Sequence, residues 1–185
     1  KMNDSVVALW SQILSELTNS KLYLKAKLFH NQKVISHTLE RFQQHDIEPD
    51  RLILQGWAPN RQKSLLAYHQ VDIALDPFPF QGHTTTCEAI WMGVPVVTLK
   101  GNRFLFHAGE NVNYNIGMED WVADDQEQYI SKAIDFGSDL DQLSKIRQNL
   151  RQQVLKSPIF DAPRLADHFN QMLWRIWSES SLDNK

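Results

Sequence analysis

The order of hydrophobic and polar residues predicts alternating helices and strands in the first part of the chain. Apolar residues within 6–17 recur at the spacing of a helix with one buried face, and Asp4 or Ser5 is placed to cap its start. The next segment, KLYLKAKLF at 21–29, alternates like a strand. A second helical pattern follows at about 34–45. The order so far is therefore helix, strand, helix.

The middle of the chain continues this alternation and indicates a parallel sheet. RLILQGW at 51–57 is predicted to be a strand and RQKSLLAYHQ at 61–70 a short helix. Two further strands are VDIALD at 71–76, the clearest in the sequence, and VPVVTL at 94–99, whose apolar run is typical of a buried strand. Strands and helices that alternate in this way predict the α/β class, with a Rossmann-like parallel sheet and helices on both faces.

The last third of the chain is predicted to be helical. Breaks at Gly137, Pro158 and Pro163 separate its helical segments. We therefore divide the chain into a Rossmann-like lobe at residues 1–160 and a C-terminal helix at residues 161–185. That helix has a wide apolar surface, which must pack on this lobe or on a neighbouring lobe that this sequence lacks. The apolar residues are Leu165, Phe169, Met172, Leu173, Trp174, Ile176 and Trp177.

Composition and charge narrow the class of protein. A chain of 185 residues is long enough for one domain with its own core or for one lobe of a larger protein. Because the sequence begins almost inside a helical pattern, we interpret it as part of a larger chain. The net charge is −3 and the basic residues form no cluster, so the sequence does not predict nucleic acid binding.

The sequence also predicts a protein of a reducing compartment that does not bind membranes. The single cysteine, Cys87, has no partner for a disulfide within the chain. No apolar run approaches the about 20 residues that span a bilayer, and no signal-peptide pattern is present. We therefore expect a cytoplasmic location.

The stretch QGHTTTCEAIWMGVP at residues 81–95 is the main candidate for a functional site. It joins two predicted strands, so it is a turn that leads into a helix, where ligands of open parallel sheets bind. The first turn of a helix has free N–H groups and a partial positive charge, and it can hold a phosphate. Gly82 lets the backbone come close to a ligand. His83, Thr84 and Thr85 add donors, and the combination suits a pyrophosphate.

The same residues also fit a purely structural role. Thr85, followed three residues later by Glu88, matches a capping box, which closes the start of a helix without any ligand. Spacing alone leaves both interpretations open, and they are compatible with each other. Glu88 could equally accept hydrogen bonds from ribose hydroxyls.

Other polar groups are weaker candidates. Asp139 and Asp141 form a D-x-D pattern that opens a helical segment, which favours capping over metal binding. Asp76 precedes a proline, so it either lines a cleft or ends a strand in an ordinary turn. The histidines are scattered without the spacing of metal ligands, and we predict no metal site.

Several segments resemble one family of enzymes. VDIALDPFPFQGHTTTCEAIWMGVPVVTLKG at 71–101 resembles the signature of the O-linked N-acetylglucosamine transferase and SPINDLY family of protein glycosyltransferases. SKLYLKAKLF, SDLDQLSKIRQNLR and SPIFDAPRLADHFNQMLWRIW resemble further segments of that family in the same order. The resemblance covers almost the whole chain, and GHTTTCEA followed by GVPVVT is its most specific part.

The resemblance implies the C-terminal, donor-binding lobe of a two-lobed GT-B glycosyltransferase. In that family an upstream lobe and tetratricopeptide repeats hold the acceptor protein, and this sequence contains neither. Several positions match the family's residues for the nucleotide-sugar donor. They are Lys1 at the phosphates, Ala58 and Pro59 at the base, His83, Thr84 and Thr85 in the phosphate turn, and Glu88 near the ribose.

The resemblance further implies metal-independent, inverting transfer of N-acetylglucosamine from UDP-GlcNAc to serine or threonine, without a cofactor. No residue is a convincing general base, so this chain alone is expected to bind the donor and catalyse little. A one-residue insertion around Asn60 and Arg61 departs from the family pattern. So does FLFHAGEN, which replaces a segment that contains Ser-Arg-Val in several relatives, and His107 is not assigned the role of that arginine. KAK at 25–27 and TTTCE are closer to the SPINDLY branch, part of which transfers fucose from GDP, so GDP-fucose is the alternative donor.

Two other classes of protein are weighed against this assignment. A nucleotide-sugar epimerase of the same fold would need carboxylates and a histidine placed for proton transfer, and the sequence shows no such set. A non-catalytic binding or scaffolding module would use the aromatic C-terminal helix for docking and the threonine turn only as a cap.

Overall fold

A computed structural model describes residues 2–182, with side chains up to residue 180. The helices are α1 Asp4–Glu16, α2 Gln32–Gln43, α3 Arg61–Leu66, α4 Thr84–Trp91, α5 Ala108–Asn115, α6 Gln126–Ser138, α7 Leu140–Leu155 and α8 Ala162–Leu182. The strands are β1 Leu22–Lys25, β2 Leu52–Gln55, β3 Ala74–Leu75, β4 Val96–Leu99 and β5 Val122–Ala123. Short 3-10 turns connect several of these elements.

Within residues 2–182 the strands form two parallel sheets. β1 pairs with β2 from Leu22 opposite Leu52 to Lys25 opposite Gln55. The second sheet has the order β3–β4–β5, and both of its pairings are parallel. Leucine side chains from both sheets pack against one hydrophobic core. The predicted parallel α/β arrangement is therefore present, but its strands belong to two sheets and not to one.

The helices enclose β4, which is the central strand of the second sheet. Val96, Val97 and Thr98 of β4 are buried. α1 packs against α2 and α6, while α4 packs against α5 and α7. α4, α5 and α6 also contact β4. The apolar run that predicted a buried strand at 94–99 is therefore explained by the helices that cover it.

Several element boundaries differ from the sequence-based expectation. The cap of α1 is Asn3, whose side-chain oxygen accepts a hydrogen bond from Val6 N at 2.8 Å, and not Asp4 or Ser5. β3 covers two residues of the predicted strand at 71–76. It ends there because Asp76 N donates the last ladder bond and the next residue is a proline without an N–H.

Two further expectations at the C-terminal helices have opposite outcomes. Gly137 does not break a helix, since α6 continues to Ser138. Asp139 caps α7 by accepting a hydrogen bond from Gln142 N at 2.9 Å. The capping role predicted for the D-x-D segment is therefore confirmed.

A buried chain of hydrogen bonds connects the core to the end of β3. Trp10 Nε1 in α1 donates to the hydroxyl of Tyr129 in α6 at 3.1 Å. That hydroxyl in turn donates to the backbone oxygen of Asp76 at 3.1 Å. Residue 76 is where the chain leaves β3 for the 81–95 stretch, so α1 and α6 fix the point from which that stretch begins.

The C-terminal helix α8 exposes its apolar residues. Every side chain of residues 162–180 is exposed, including those predicted to form a packing surface. Asp161 caps the start of α8, because its side-chain oxygen accepts a hydrogen bond from Arg164 N at 3.0 Å. The hydrophobic core lies entirely before this point.

Deleting residues 162–185 is expected to leave the free energy of unfolding within about 0.5 kcal/mol of its original value. The reason is that none of the described side chains of α8 is buried, and none belongs to the hydrophobic core. Urea unfolding followed by circular dichroism measures the change. The control is Leu150→Ala in α7, where a fully buried side chain is lost and stability should fall by about 2–5 kcal/mol. A loss of that size in the truncated chain would contradict the prediction.

Candidate functional site

The start of α4 is open to solvent and has no side-chain cap. Its N-cap residue is His83, whose side chain makes no capping hydrogen bond. The capping box predicted from Thr85 and Glu88 is therefore wrong, because Thr85 lies inside the helix and not at its cap. The first-turn N–H groups of α4 lack the side-chain acceptor that a capping box would provide.

The three residues next to this helix start share its exposed surface. His83, Thr84 and Thr85 are exposed, whereas Gly82 and Thr86 are buried. A methyl group on Gly82 would lie 2.5 Å from Thr85 Oγ1 and 2.7 Å from Thr86 Oγ1. Glycine is therefore needed for the threonine side chains to fold back over the turn. The result is a solvent-facing group of hydroxyls and an imidazole beside free N–H groups.

Buried polar side chains hold the turn from below. Asp76 Oδ1 accepts a hydrogen bond from Gly82 N at 2.7 Å, and Asp76 Oδ2 accepts one from Thr98 Oγ1 at 3.0 Å. Gln81 Oε1 accepts from Gly109 N at 2.8 Å, and Gln81 Nε2 donates to the backbone oxygen of Leu99. The local sequence pattern predicted neither the contact of Asp76 with Gly82 nor a supporting role for Gln81.

Glu88 lies one turn into α4 and forms an ion pair with an arginine at the start of α3. Glu88 Oε1 is 3.7 Å from Arg61 Nη2, at the first residue of α3. The loop before α3 contains Ala58, which is buried, and Pro59, which is exposed. The ion pair therefore links α4 to the segment that was predicted to meet the base.

Lys25 and Tyr68 are further polar residues near Glu88 that the sequence analysis did not assign to the site. Lys25 Nζ donates to Ser64 Oγ at 2.7 Å and to the backbone oxygen of Ser64 at 3.1 Å. Burial lowers the pKa of Lys25, and the Glu88 carboxylate opposes this shift. Tyr68 donates to the backbone oxygen of Thr85 at 3.2 Å. Burial, together with Glu88, raises the pKa of Tyr68 to about 12, so this phenol stays protonated at neutral pH.

His107 is the N-cap residue of α5 and lies two residues before Gly109, which donates to Gln81. His107 Nδ1 is 2.5 Å from Glu110 Oε2. Lys100 Nζ is 3.9 Å from Glu110 Oε1 and 3.5 Å from Asp124 Oδ1. These two carboxylates, Asp124 more than Glu110, raise the pKa of Lys100. His107 and Glu110 therefore form a histidine–carboxylate pair at the start of α5, the helix whose Gly109 N–H donates to Gln81.

The predicted site residues fall into three groups. His83, Thr84, Thr85 and Glu88 lie together on α4 and the turn before it, and Arg61 connects them to the loop of Ala58 and Pro59. Lys1 lies outside the described residues.

In residues 2–182 no three His, Cys, Asp or Glu side chains are grouped so that they could hold a metal ion. Nor is any helix in this part of the chain long and apolar enough to cross a membrane.

A solved structure has the same fold. A mutant O-GlcNAc transferase from Thermobaculum terrenum superposes with a TM-score of 0.85 at 31% sequence identity. The match covers 96% of this chain and 34% of that protein. The parallel strands, the helices and the helical C-terminal end are those of a glycosyltransferase with the GT-B fold, and the predicted fold class is confirmed.

Sequence comparison identifies the family. Residues 1–169 match the family model described as Glycosyl transferase family 41. A tomato (Solanum lycopersicum) protein named as a probable UDP-N-acetylglucosamine–peptide N-acetylglucosaminyltransferase SPINDLY is 33% identical over 177 residues, which are 96% of this chain and 19% of the tomato protein. A Caenorhabditis elegans UDP-N-acetylglucosamine–peptide N-acetylglucosaminyltransferase is 24% identical over 96% of this chain and 15% of its own length. The chain belongs to glycosyl transferase family 41, as its motifs predicted, and it spans 19% of the tomato relative and 15% of the C. elegans relative.

Proposed function

We propose that this chain is the donor-binding lobe of a protein O-glycosyltransferase. In this proposal the whole protein transfers N-acetylglucosamine from UDP-GlcNAc to serine or threonine of an acceptor protein, without a metal and with inversion at the sugar. The observation that carries the proposal is the uncapped, exposed start of α4, with His83, Thr84 and Thr85 beside it. This arrangement is suited to a group with two phosphates.

The proposed chemistry depends on neutralising charge on the leaving group. Breaking the bond between the sugar and the phosphate leaves a nucleoside diphosphate, and negative charge develops on its oxygens. Preorganised donors stabilise such charge without reorganising during the reaction. Here these donors are the first N–H groups of α4, the hydroxyls of Thr84 and Thr85, and the ring of His83.

The nucleoside part of the donor would lie toward α3. Glu88 is proposed to accept hydrogen bonds from the ribose hydroxyls, and Arg61 Nη2 lies 3.7 Å from its Oε1 on the side of α3. The loop of Ala58 and Pro59 is proposed to border the base, and Lys1 to contact the phosphates. The acceptor protein is proposed to bind another lobe, against which α8 packs through its exposed apolar side. This chain alone is then expected to bind the donor and to transfer little sugar, in a cytoplasmic protein.

A GDP-sugar, such as GDP-fucose, is the second candidate donor. The SPINDLY relatives are 31–34% identical to this chain, compared with 24% for the C. elegans transferase. The sequence resemblance to SPINDLY extends to Lys25, whose partly buried ammonium binds Ser64 next to Glu88. A non-catalytic nucleotide-binding or scaffolding module is the third candidate and is addressed by the same measurement.

A thermal-shift comparison of UDP, GDP, UDP-GlcNAc and GDP-fucose tests the proposal. At about 100 times its Kd, a ligand that binds only the folded chain adds about 2.7 kcal/mol of stability, or about 5–10 °C in Tm for a chain of this size. UDP and UDP-GlcNAc are expected to give the larger shift. UMP and GMP are the controls, because they lack the second phosphate and should shift the Tm less. If no nucleotide changes the Tm, the chain is a scaffolding module and the proposal fails.

A further inference from the structure

The carboxylate of Asp76 has a contact that the proposed donor site does not use. Asp76 follows β3 and is 4% exposed. A carboxylate is costly to bury unless hydrogen bonds replace the water that it loses. Asp76 receives such bonds from Gly82 N at 2.7 Å and from Thr98 Oγ1 at 3.0 Å. One bond reaches the turn before α4 and the other reaches β4.

Two glycines, one in the turn before α4 and one in the first turn of α5, pack close to this carboxylate. A methyl group on Gly82 would lie 3.2 Å from Asp76 Oδ1. A methyl group on Gly109 would lie 2.5 Å from Asp76 Oδ2 and 2.4 Å from Thr98 Oγ1. The turn before α4 and the first turn of α5 therefore meet at Asp76, and a side chain at position 109 would clash with its carboxylate.

Gln81 forms a second connection between the turn before α4 and the first turn of α5. Its Oε1 accepts a hydrogen bond from Gly109 N at 2.8 Å. Gly109 is the second residue of α5, and His107 is its N-cap. Through Asp76 and Gln81, the starts of α4 and α5 are fixed relative to each other. The N-cap His107 lies two residues before this contact with Gln81.

The charge of Asp76 argues against direct contact with the donor. A carboxylate and a diphosphate repel each other, and this repulsion is stronger in a buried environment than in water. Moreover, Asp76 occupies the N–H of Gly82, so that this amide points into the protein. The donors left for a ligand are those of α4 itself and of the side chains of His83 and Thr85.

We propose that Asp76 is a positioning residue, which holds Gly82 and the start of α5 so that the start of α4 is presented to the diphosphate of the donor. This inference rests on the proposed function. Its role is a matter of shape and hydrogen bonding. Asparagine can reproduce the geometry, because its oxygen can accept from Gly82 N while its NH₂ group donates to the hydroxyl oxygen of Thr98.

The test compares Asp76→Ala and Asp76→Asn in calorimetric titrations with UDP and with GDP. Asp76→Ala is expected to weaken binding of the preferred nucleotide about tenfold or more, since a charge-assisted hydrogen bond at the turn is lost. Asp76→Asn is expected to lose less affinity than Asp76→Ala, because its side-chain oxygen can still accept from Gly82 N. In NMR spectra the Gly82 amide should exchange rapidly with solvent in Asp76→Ala and slowly in Asp76→Asn.

The outcomes separate this inference from the proposed function. If the original chain binds UDP or GDP and Asp76→Ala binds it equally well, Asp76 does not position the site. An equal loss in Asp76→Ala and Asp76→Asn also overturns the inference, because the hydrogen bond to Gly82 N that asparagine keeps would then not position the site. If the original chain binds neither nucleotide, the proposed function fails and the inference fails with it. If Asp76→Ala does not fold, Gly82→Ala replaces it, and unchanged affinity in Gly82→Ala overturns the inference.

Discussion

Replacing His83 or Thr85 with alanine is expected to lower the affinity for a nucleoside diphosphate by about 10- to 100-fold, while the fold stays intact. Loss of one charge-assisted hydrogen bond weakens binding by about 1.5–3 kcal/mol. Both side chains are exposed at the uncapped start of α4, so their removal leaves the core untouched. Calorimetric titration with UDP and GDP measures the affinity, and the Tm without nucleotide should not change.

Matched control variants distinguish this effect from a general change in surface polarity. His37 is an exposed histidine on α2, and Thr18 is an exposed threonine after α1. His37→Ala and Thr18→Ala are expected to bind nucleotide as the original chain does. If His83→Ala and Thr85→Ala also retain full affinity, the start of α4 is not the site of the phosphates.

Tyr129→Ala is expected to lower the free energy of unfolding by about 3–5 kcal/mol, the range for loss of a large buried aromatic side chain. Tyr129 is fully buried, and its ring meets Phe78 edge-on at a centroid distance of 5.8 Å. Its hydroxyl accepts from Trp10 and donates to the backbone oxygen of Asp76. Burial raises the pKa of Tyr129, so the hydroxyl remains a donor over the whole neutral range.

Tyr129→Phe separates the hydroxyl from the ring. It keeps the packing against Phe78 but leaves the buried Trp10 Nε1 without this acceptor, and we expect a loss of about 1–3 kcal/mol. Tyr114→Phe is the control, because Tyr114 is partly exposed and should change stability by less than about 0.5 kcal/mol. Urea unfolding of the three variants measures the differences. A Tyr129→Phe chain as stable as the original would show that the hydrogen bonds contribute nothing.

The order of elements was predictable because it depends on local patterns. The buried strand β4 follows from its apolar run, and the helices follow from their spacing of hydrophobic residues. Boundaries were less predictable, because they depend on single groups. β3 ends at Leu75, two residues before Pro77, which lacks an N–H. α1 is capped by Asn3, although Asp4 and Ser5 are residue types suited to the same role.

The exposed part of the site was predictable, whereas its support was not. His83, Thr84 and Thr85 are consecutive, so a sequence pattern reveals them together. Asp76 and Thr98 are 22 residues apart, and Gln81 and Gly109 are 28 residues apart. Lys25 and Ser64 are separated by 39 residues. Contacts over such distances depend on how the strands are arranged, which the spacing of one sequence does not encode.

The exposure of α8 gives the protein a built-in optical reporter. Trp174 and Trp177 are 72% and 68% exposed, whereas Trp10 and Trp121 are 5% and 2% exposed. Indole fluorescence shifts to shorter wavelength when water is excluded from the ring, and soluble quenchers then reach it less easily. Anything that covers this helix will therefore change the emission of the tryptophans, and docking of another polypeptide can be followed without a label.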